Sequence, residues 1–164
     1  MEKVRIDDVD NSLQPAAVMR HLTEPLGLTD FAINYYELEP GDSFAFAYHS
    51  HDVQEEVFYV QSGTATFETE DGPVTVEAGE VIRFDRGEFQ RGWNRSDELI
   101  QAVAFGAPLE YGEQRKLRHC PNCETETDTW LERTDDETAV VAYCKRCGAE
   151  TGRWFEGSME GEVP

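Results

Sequence analysis

The chain has 164 residues, enough for one medium domain or for a domain of about 100 residues with a small appendage. Its 34 acidic against 14 basic residues leave a formal charge of -20, and a surface of that sign repels phosphate backbones, which counts against nucleic acid as the main partner. No apolar run approaches the ~18 residues of a membrane helix and the start lacks an apolar signal core, so a cytoplasmic protein without membrane association is expected.

Residues 1 to 25 read as a polar lead-in and a short helix over residues 15–22, with Pro15 in a first turn where its missing N–H has no intrahelical partner. His21 reads as a surface histidine. From Phe31 the hydrophobic period becomes two, with Phe31, Ile33 and Tyr35 alternating with polar or small neighbours, and residues 39–42 form a turn. Residues 41–63 then set His49 and His51 one residue apart. In a strand such a pair points the same way, a geometry that suits a metal. Ala45 and Ala47 share that face and leave room for a ligand, while Phe44, Phe46 and Tyr48 take the other. After a turn at residues 52–54 a returning strand places Glu56, Phe58 and Val60 on one face, and Gly63 ends it. The pocket wall is therefore expected from Ala45, Ala47, Phe58 and Val60. Residues 64–69, 74–76, 81–84, the segment bearing Gln90 and residues 99–105 supply further strands. Closely spaced short strands indicate an antiparallel sandwich or barrel.

Residues 41–63 resemble the first motif of the cupin superfamily: a glycine, H-x-H, three or four residues, a glutamate, six residues and a glycine. Glu55 and Glu56 both satisfy the first gap, but only Glu56 has six residues before Gly63. The second motif, G-x5-P-x-G-x2-H-x3-N, is answered by residues 79–94. Gly79, Gly87 and Asn94 match, Asp85 stands where proline is expected, and Gln90 stands where the third metal-binding histidine is expected. The resemblance covers roughly the first two thirds of the chain. It implies an all-β, double-stranded β-helix (jelly-roll) barrel, preceded here by the short helix, and a homodimer. It also implies a divalent metal at His49, His51, Glu56 and Gln90. Two imidazoles and a carboxylate are the ligand set of the facial triad on non-haem iron. An amide oxygen in place of an imidazole favours iron(II) or manganese(II), with zinc and nickel as alternatives; the other reading of Gln90 turns its amide to a bound water or substrate. Glu55 is expected to point outward as a solvated carboxylate. Arg83, Arg86, Arg91 and Arg95 either attract an acidic substrate or pair on the surface.

Residues 106–108 end the apolar pattern. The expected organisation is a barrel over residues 1–108, a linker over 109–117, a zinc-ribbon-like module over 118–156 and a flexible acidic terminus over 157–164. All four cysteines lie in the module, as two C-x2-C pairs, Cys120 with Cys123 and Cys144 with Cys147, twenty residues apart. Four thiolates close a tetrahedral zinc site. A rubredoxin-like iron site uses the same ligands, and two disulfides or a redox pair are rival readings. His119 is a bystander beside a complete ligand sphere.

The His-His-Glu set points to a metal-dependent enzyme acting on a small oxygenated molecule, by dioxygenation, isomerisation or related chemistry. The alternatives are a non-enzymatic small-molecule binding or sensing module, whose ribbon docks a protein partner, and a scaffold that has lost its metal. The charge of -20 would strain a compact protein in dilute salt, whereas at about 1 M salt the screening length falls to roughly 3 Å. A salt-loving cytoplasm is the expected setting.

Overall fold

Short runs of β-branched and aromatic residues, closed by glycine turns, fold as strands throughout the computed structural model, which describes residues 1–155. The expected acidic terminus, residues 157–164, lies outside the described residues. In chain order the strands are β1 (Val18–His21), β2 (Ala32–Leu38), β3 (Tyr48–His51), β4 (Glu55–Ser62), β5 (Thr64–Thr69), β6 (Gly72–Glu77) and β7 (Val81–Phe84). They continue with β8 (Gln90–Trp93), β9 (Ile100–Ala107), β10 (Gln114–Cys120), β11 (Thr125–Arg133), β12 (Ala139–Cys144) and β13 (Glu150–Phe155). No helix among the described residues is long and apolar enough to cross a membrane.

The strands form a five-stranded sheet, β1-β2-β9-β4-β7, and an eight-stranded sheet, β13-β12-β11-β10-β3-β8-β5-β6. Period-two alternation buries one face of each. In β9, Ile100, Ala102 and Ala104 point inward; in β4, Phe58 and Val60 are buried while Tyr59 between them is exposed. The core lies between the sheets, where Phe58 of β4 meets Phe67 of β5 at 5.0 Å between ring centroids and Phe67 meets Phe84 of β7 at 5.3 Å. Leu38, Val60, Phe67 and Ile100 have no exposed surface, and each such side chain contributes about 1.5–3 kcal/mol through burial. Two glycines are required by this packing. Gly63, at φ +77°, turns the chain from β4 into β5, and a Cβ on Gly92 of β8 would lie 2.5 Å from the Phe67 ring and 2.6 Å from the Phe44 ring.

Three expectations about fold class are corrected here. The sheets do not close into a jelly-roll barrel: β1 and β7 remain edges of one sheet, and β6 and β13 edges of the other. The helix expected over residues 15–22 is absent, and the only helical turn before β2 is a 3-10 turn at Ile6–Asp8. Other partners take the peptide groups of that stretch. Ala17 N–H donates to the Asp42 carboxylate at 2.8 Å, Met19 N–H donates to Asn11 Oδ1 at 2.8 Å, and β1 pairs antiparallel with β2. Nor do the cysteine-bearing strands form a separate zinc-ribbon module. On one edge β10 pairs with β3, and on the other with the first half of β11, whose second half pairs with β12.

Side chains reinforce that continuity. Phe46, just before β3, packs edge-on against Trp154 of β13 at 4.9 Å. Buried Arg118 of β10 donates from Nε to the Thr151 carbonyl at 2.9 Å, donates to the Phe46 carbonyl, and holds its guanidinium 4.7 Å over Trp154. The aromatic residues read as one strand face find cover within the chain in separate places: Phe44 in the inter-sheet core, Phe46 under Trp154, and Tyr48 stacked on Phe89 at 5.3 Å. Residues 44–47 are not in a strand, so alternation does not hold there.

Candidate functional site

The site is built around β3, which runs between β8 and β10. His49 lies opposite Gln90 of β8 and opposite Lys116 of β10, and His51 lies opposite Gln114 of β10. Directly opposed residues of antiparallel strands send their side chains to the same face. Five polar side chains thus gather on one patch of the eight-stranded sheet, and β4 of the facing sheet brings Glu56 to it. The histidines and Gln90 are nearly inaccessible, at 7%, 4% and 1% exposure for His49, His51 and Gln90.

The ligand-capable atoms converge. His49 Nε2 is 3.4 Å from Glu56 Oε2, and His51 Nε2 is 3.4 Å from Glu56 Oε1. His49 Nδ1 is 3.0 Å from the Ala47 carbonyl oxygen, which can only accept, so Nδ1 carries a proton; Nε2 then donates to Glu56 when the ring is protonated and offers its lone pair inward when it is neutral. The Gln114 amide nitrogen lies 3.2 and 3.0 Å from the two ring nitrogens of His51. Burial opposes ionisation of Glu56, but hydrogen bonds and charge from His49 and His51 outweigh it and hold the carboxyl below the usual carboxylate range. Gln90 Nε2 donates to Glu56 Oε2 at 2.7 Å and sits 3.3 Å from His49 Nε2.

Gln90 Oε1, by contrast, is buried without a hydrogen-bond partner. An orphaned amide oxygen is costly, and turning the carboxamide over exchanges it with the nitrogen that now faces Glu56 and His49. A cation among these groups would favour the oxygen there. Two imidazoles, a carboxylate and an available amide oxygen therefore fit a divalent metal, and the His49, His51 and Glu56 donor atoms all lie within 4.8 Å of one another.

Residues 34–105 match the cupin domain family. Among solved structures, the chain is similar to a sugar phosphate isomerase of the cupin superfamily from Silicibacter pomeroyi, at 22% identity over 91% of each chain with a TM-score of 0.58. It is also similar to the polyketide cyclase RemF from Streptomyces resistomycificus, at 26% identity over 71% of this chain and 84% of that one, with a TM-score of 0.58. No curated protein matches the sequence. Within the matched residues, Gln90 stands where the motif described above has its third histidine. Gln90→His is expected to raise divalent-metal affinity by about tenfold or more, because an imidazole nitrogen replaces a weaker amide oxygen. Competition against a chelator measures it, and unchanged affinity would place Gln90 outside the coordination sphere.

A pocket of about 250 Å³ opens over these residues between the sheets, close to the lower end of small-molecule sites. Ala45, Ala47 and Phe58 line it; Val60, also expected there, lies in the inter-sheet core instead. Glu55 points outward and pairs with Arg83 at 3.3 Å. None of the four arginines weighed for an acidic substrate lines the pocket: Arg95 pairs with Glu68, Arg86 is exposed, and Arg91 is buried 3.8 Å over the Trp93 ring.

Sequence reasoning missed much of the remaining wall. His21 lines the pocket and bonds Asn34 Oδ1 at 2.9 Å across β1 and β2. Tyr36 of β2 contributes a buried phenol whose pKa is raised, first by burial and then by Glu56 and Tyr111. Lys116 is half-buried, and burial, with Lys145 nearby, lowers its pKa. The polar stretch that contains Lys116 gave no local sign of pairing with β3.

The second candidate cluster joins Cys120, Cys123, Cys144 and Cys147, whose sulfurs lie within 4.8 Å of one another and form no disulfide. Thr127 donates its hydroxyl to Cys144 Sγ at 3.1 Å, lowering that thiol to about 6 against the opposing effect of burial. Backbone hydrogen bonding lowers Cys147 too, whereas a hydrogen bond with Cys147 pushes Cys123 up to about 12. Four sulfurs with one already favouring the thiolate suit a tetrahedral ion.

Proposed function

We propose that this chain is a metal-dependent enzyme acting on a small oxygenated organic molecule held between the two sheets. The observation that carries the reading is the convergence of His49, His51 and Glu56, with the orphaned amide oxygen of Gln90 beside them, at a pocket of about 250 Å³. The mixed nitrogen and oxygen donors favour iron(II) or manganese(II) there, and the four thiols favour zinc. Such a cation supplies Lewis-acid polarisation of a substrate oxygen, or open positions for oxygen chemistry.

The protein's own groups complete the task. The Ala47 carbonyl fixes His49 in the tautomer that presents Nε2, and Gln114 orients His51. Tyr36 keeps its phenolic proton in the pocket and can donate a hydrogen bond to a substrate oxygen. Met19, Phe44, Phe46, Phe58 and Leu131 close an apolar side that limits water. An isomerase-like or dioxygenase-like reaction fits these parts. The sugar phosphate isomerase named above makes phosphorylated sugars, with small hydroxy and keto acids, the first compounds to screen.

Metal content by mass spectrometry, paired with that screen, tests the proposal. The wild-type chain is expected to carry two metals and to turn over one of these compounds. His51→Ala should retain the fold and the cysteine-bound metal, but lose the other ion and the turnover. A His51→Ala protein with both metals, or with full activity, would overturn it.

A further inference from the structure

The pocket has a cationic end that the metal reading does not use. Lys116 sits directly opposite His49 on the neighbouring strand, so both side chains leave the sheet on the same face, and both line the pocket. The chain has only three lysines, Lys3, Lys116 and Lys145, and 34 acidic residues with which to pair them. Four arginines elsewhere find carboxylates: Arg83 pairs with Glu55 and Asp85, Arg95 with Glu68, Arg115 with Asp128 and Arg153 with Glu150. Lys116 is half-buried, yet among the described residues its ammonium makes no ion pair and no side-chain hydrogen bond. Among the described residues the one carboxylate lining the pocket, Glu56, is already engaged by His49, His51 and Gln90.

A partly desolvated cation without a counter-charge is costly unless a ligand supplies one. The carboxamides of Gln14 and Gln114 line the same pocket and add hydrogen-bond donors. Resting on the proposed function, we infer that Lys116 is the subsite for an oxyanion of the substrate, a carboxylate or a phosphate, next to the position where its reacting oxygen meets the metal. The substrate is then a small organic acid or phosphate ester, and Lys116 both selects it and fixes which end faces the histidines. A neutral molecule of the same size leaves the ammonium unpaired and is rejected.

Calorimetric titration of the full metal-loaded chain with inorganic phosphate, succinate and neutral succinamide, at constant ionic strength, tests this. At least one anion is expected to bind and succinamide is not; whichever anion binds more tightly identifies the group. Lys116→Met should weaken that binding by at least about tenfold with metal content unchanged, and Lys116→Arg should stay within about threefold of the wild type. Equal affinity of wild type and Lys116→Met, or no binding of either anion to the wild type, would overturn the inference. Should Lys116→Met not fold, Lys116→Gln gives the same reading. Metal content of His51→Ala reports on the metal site alone, so the two ideas fail separately.

Discussion

Glu56→Gln is expected to weaken divalent-cation binding at the inter-sheet site by at least about 100-fold, roughly 2.7 kcal/mol, while leaving the fold in place. Glu56 is the one carboxylate among the described residues that lines the pocket, and its two oxygens face the two histidines separately, at 3.4 Å each. Glutamine keeps its size and can still hydrogen-bond, so the change removes charge and little else. Loss of groups that merely orient a ligand costs about 10–100-fold in metal affinity, and loss of the charged ligand should cost more. Titration with manganese(II) against a fluorescent chelator gives the number. A variant within about threefold of the wild type would show that Glu56 serves the histidines structurally and holds no metal.

Cys144→Ser is expected to release the cysteine-bound metal, to lower Tm by more than about 10 °C, and to loosen the inter-sheet site as well. Cys144 ends β12 with no exposed surface, and Thr127 and Arg146 both direct donors at its sulfur. Cys120 ends β10, the strand whose Gln114 and Lys116 lie opposite His51 and His49. Disorder at the cysteines therefore reaches the histidines through one shared strand. Because the strands form a continuous sheet, unfolding should remain a single transition at the lower temperature. Thermal scans with parallel metal assays check this. A Cys144→Ser protein with unchanged Tm and full metal at His49 and His51 would separate the two clusters.

His49, His51 and Glu56 were legible because a period of two over a few residues settles which side chains share a face. The pairing His-x-His is a local pattern, and the six residues that separate Glu56 from Gly63 fit the motif that this stretch resembles. Gln114 and Lys116 were not legible, since their place depends on β10 pairing with β3 across more than sixty residues of chain. The stretch that carries them is polar and mimics a connector. Residues 15–22 failed for another reason: a short run such as Ala16, Ala17, Val18 and Met19 suits a helix or a strand equally, and Asp42 and Asn11 decide it from a distance. Val60 shares the strand face of Glu56 and Phe58, but period says nothing of depth, and it lies in the packed core. The four cysteines were legible as a candidate ligand set from their spacing, and their sulfurs do lie together. That their strands continue the sheet of the histidines has no signature in spacing.

The place of β3, hydrogen-bonded between β8 and β10, bears on any attempt to study the first part of the chain alone. A protein ending at Pro108 would lose every strand on one side of β3. The backbone N–H and C=O groups of Tyr48–His51 that now pair with β10 would become an open edge, a template for strand addition by a second molecule. Phe46 would lose Trp154, leaving an apolar ring beside that edge. Self-association through β3 would then hide the histidines, so the shortened protein's failure to bind metal would report aggregation rather than the chemistry of the site.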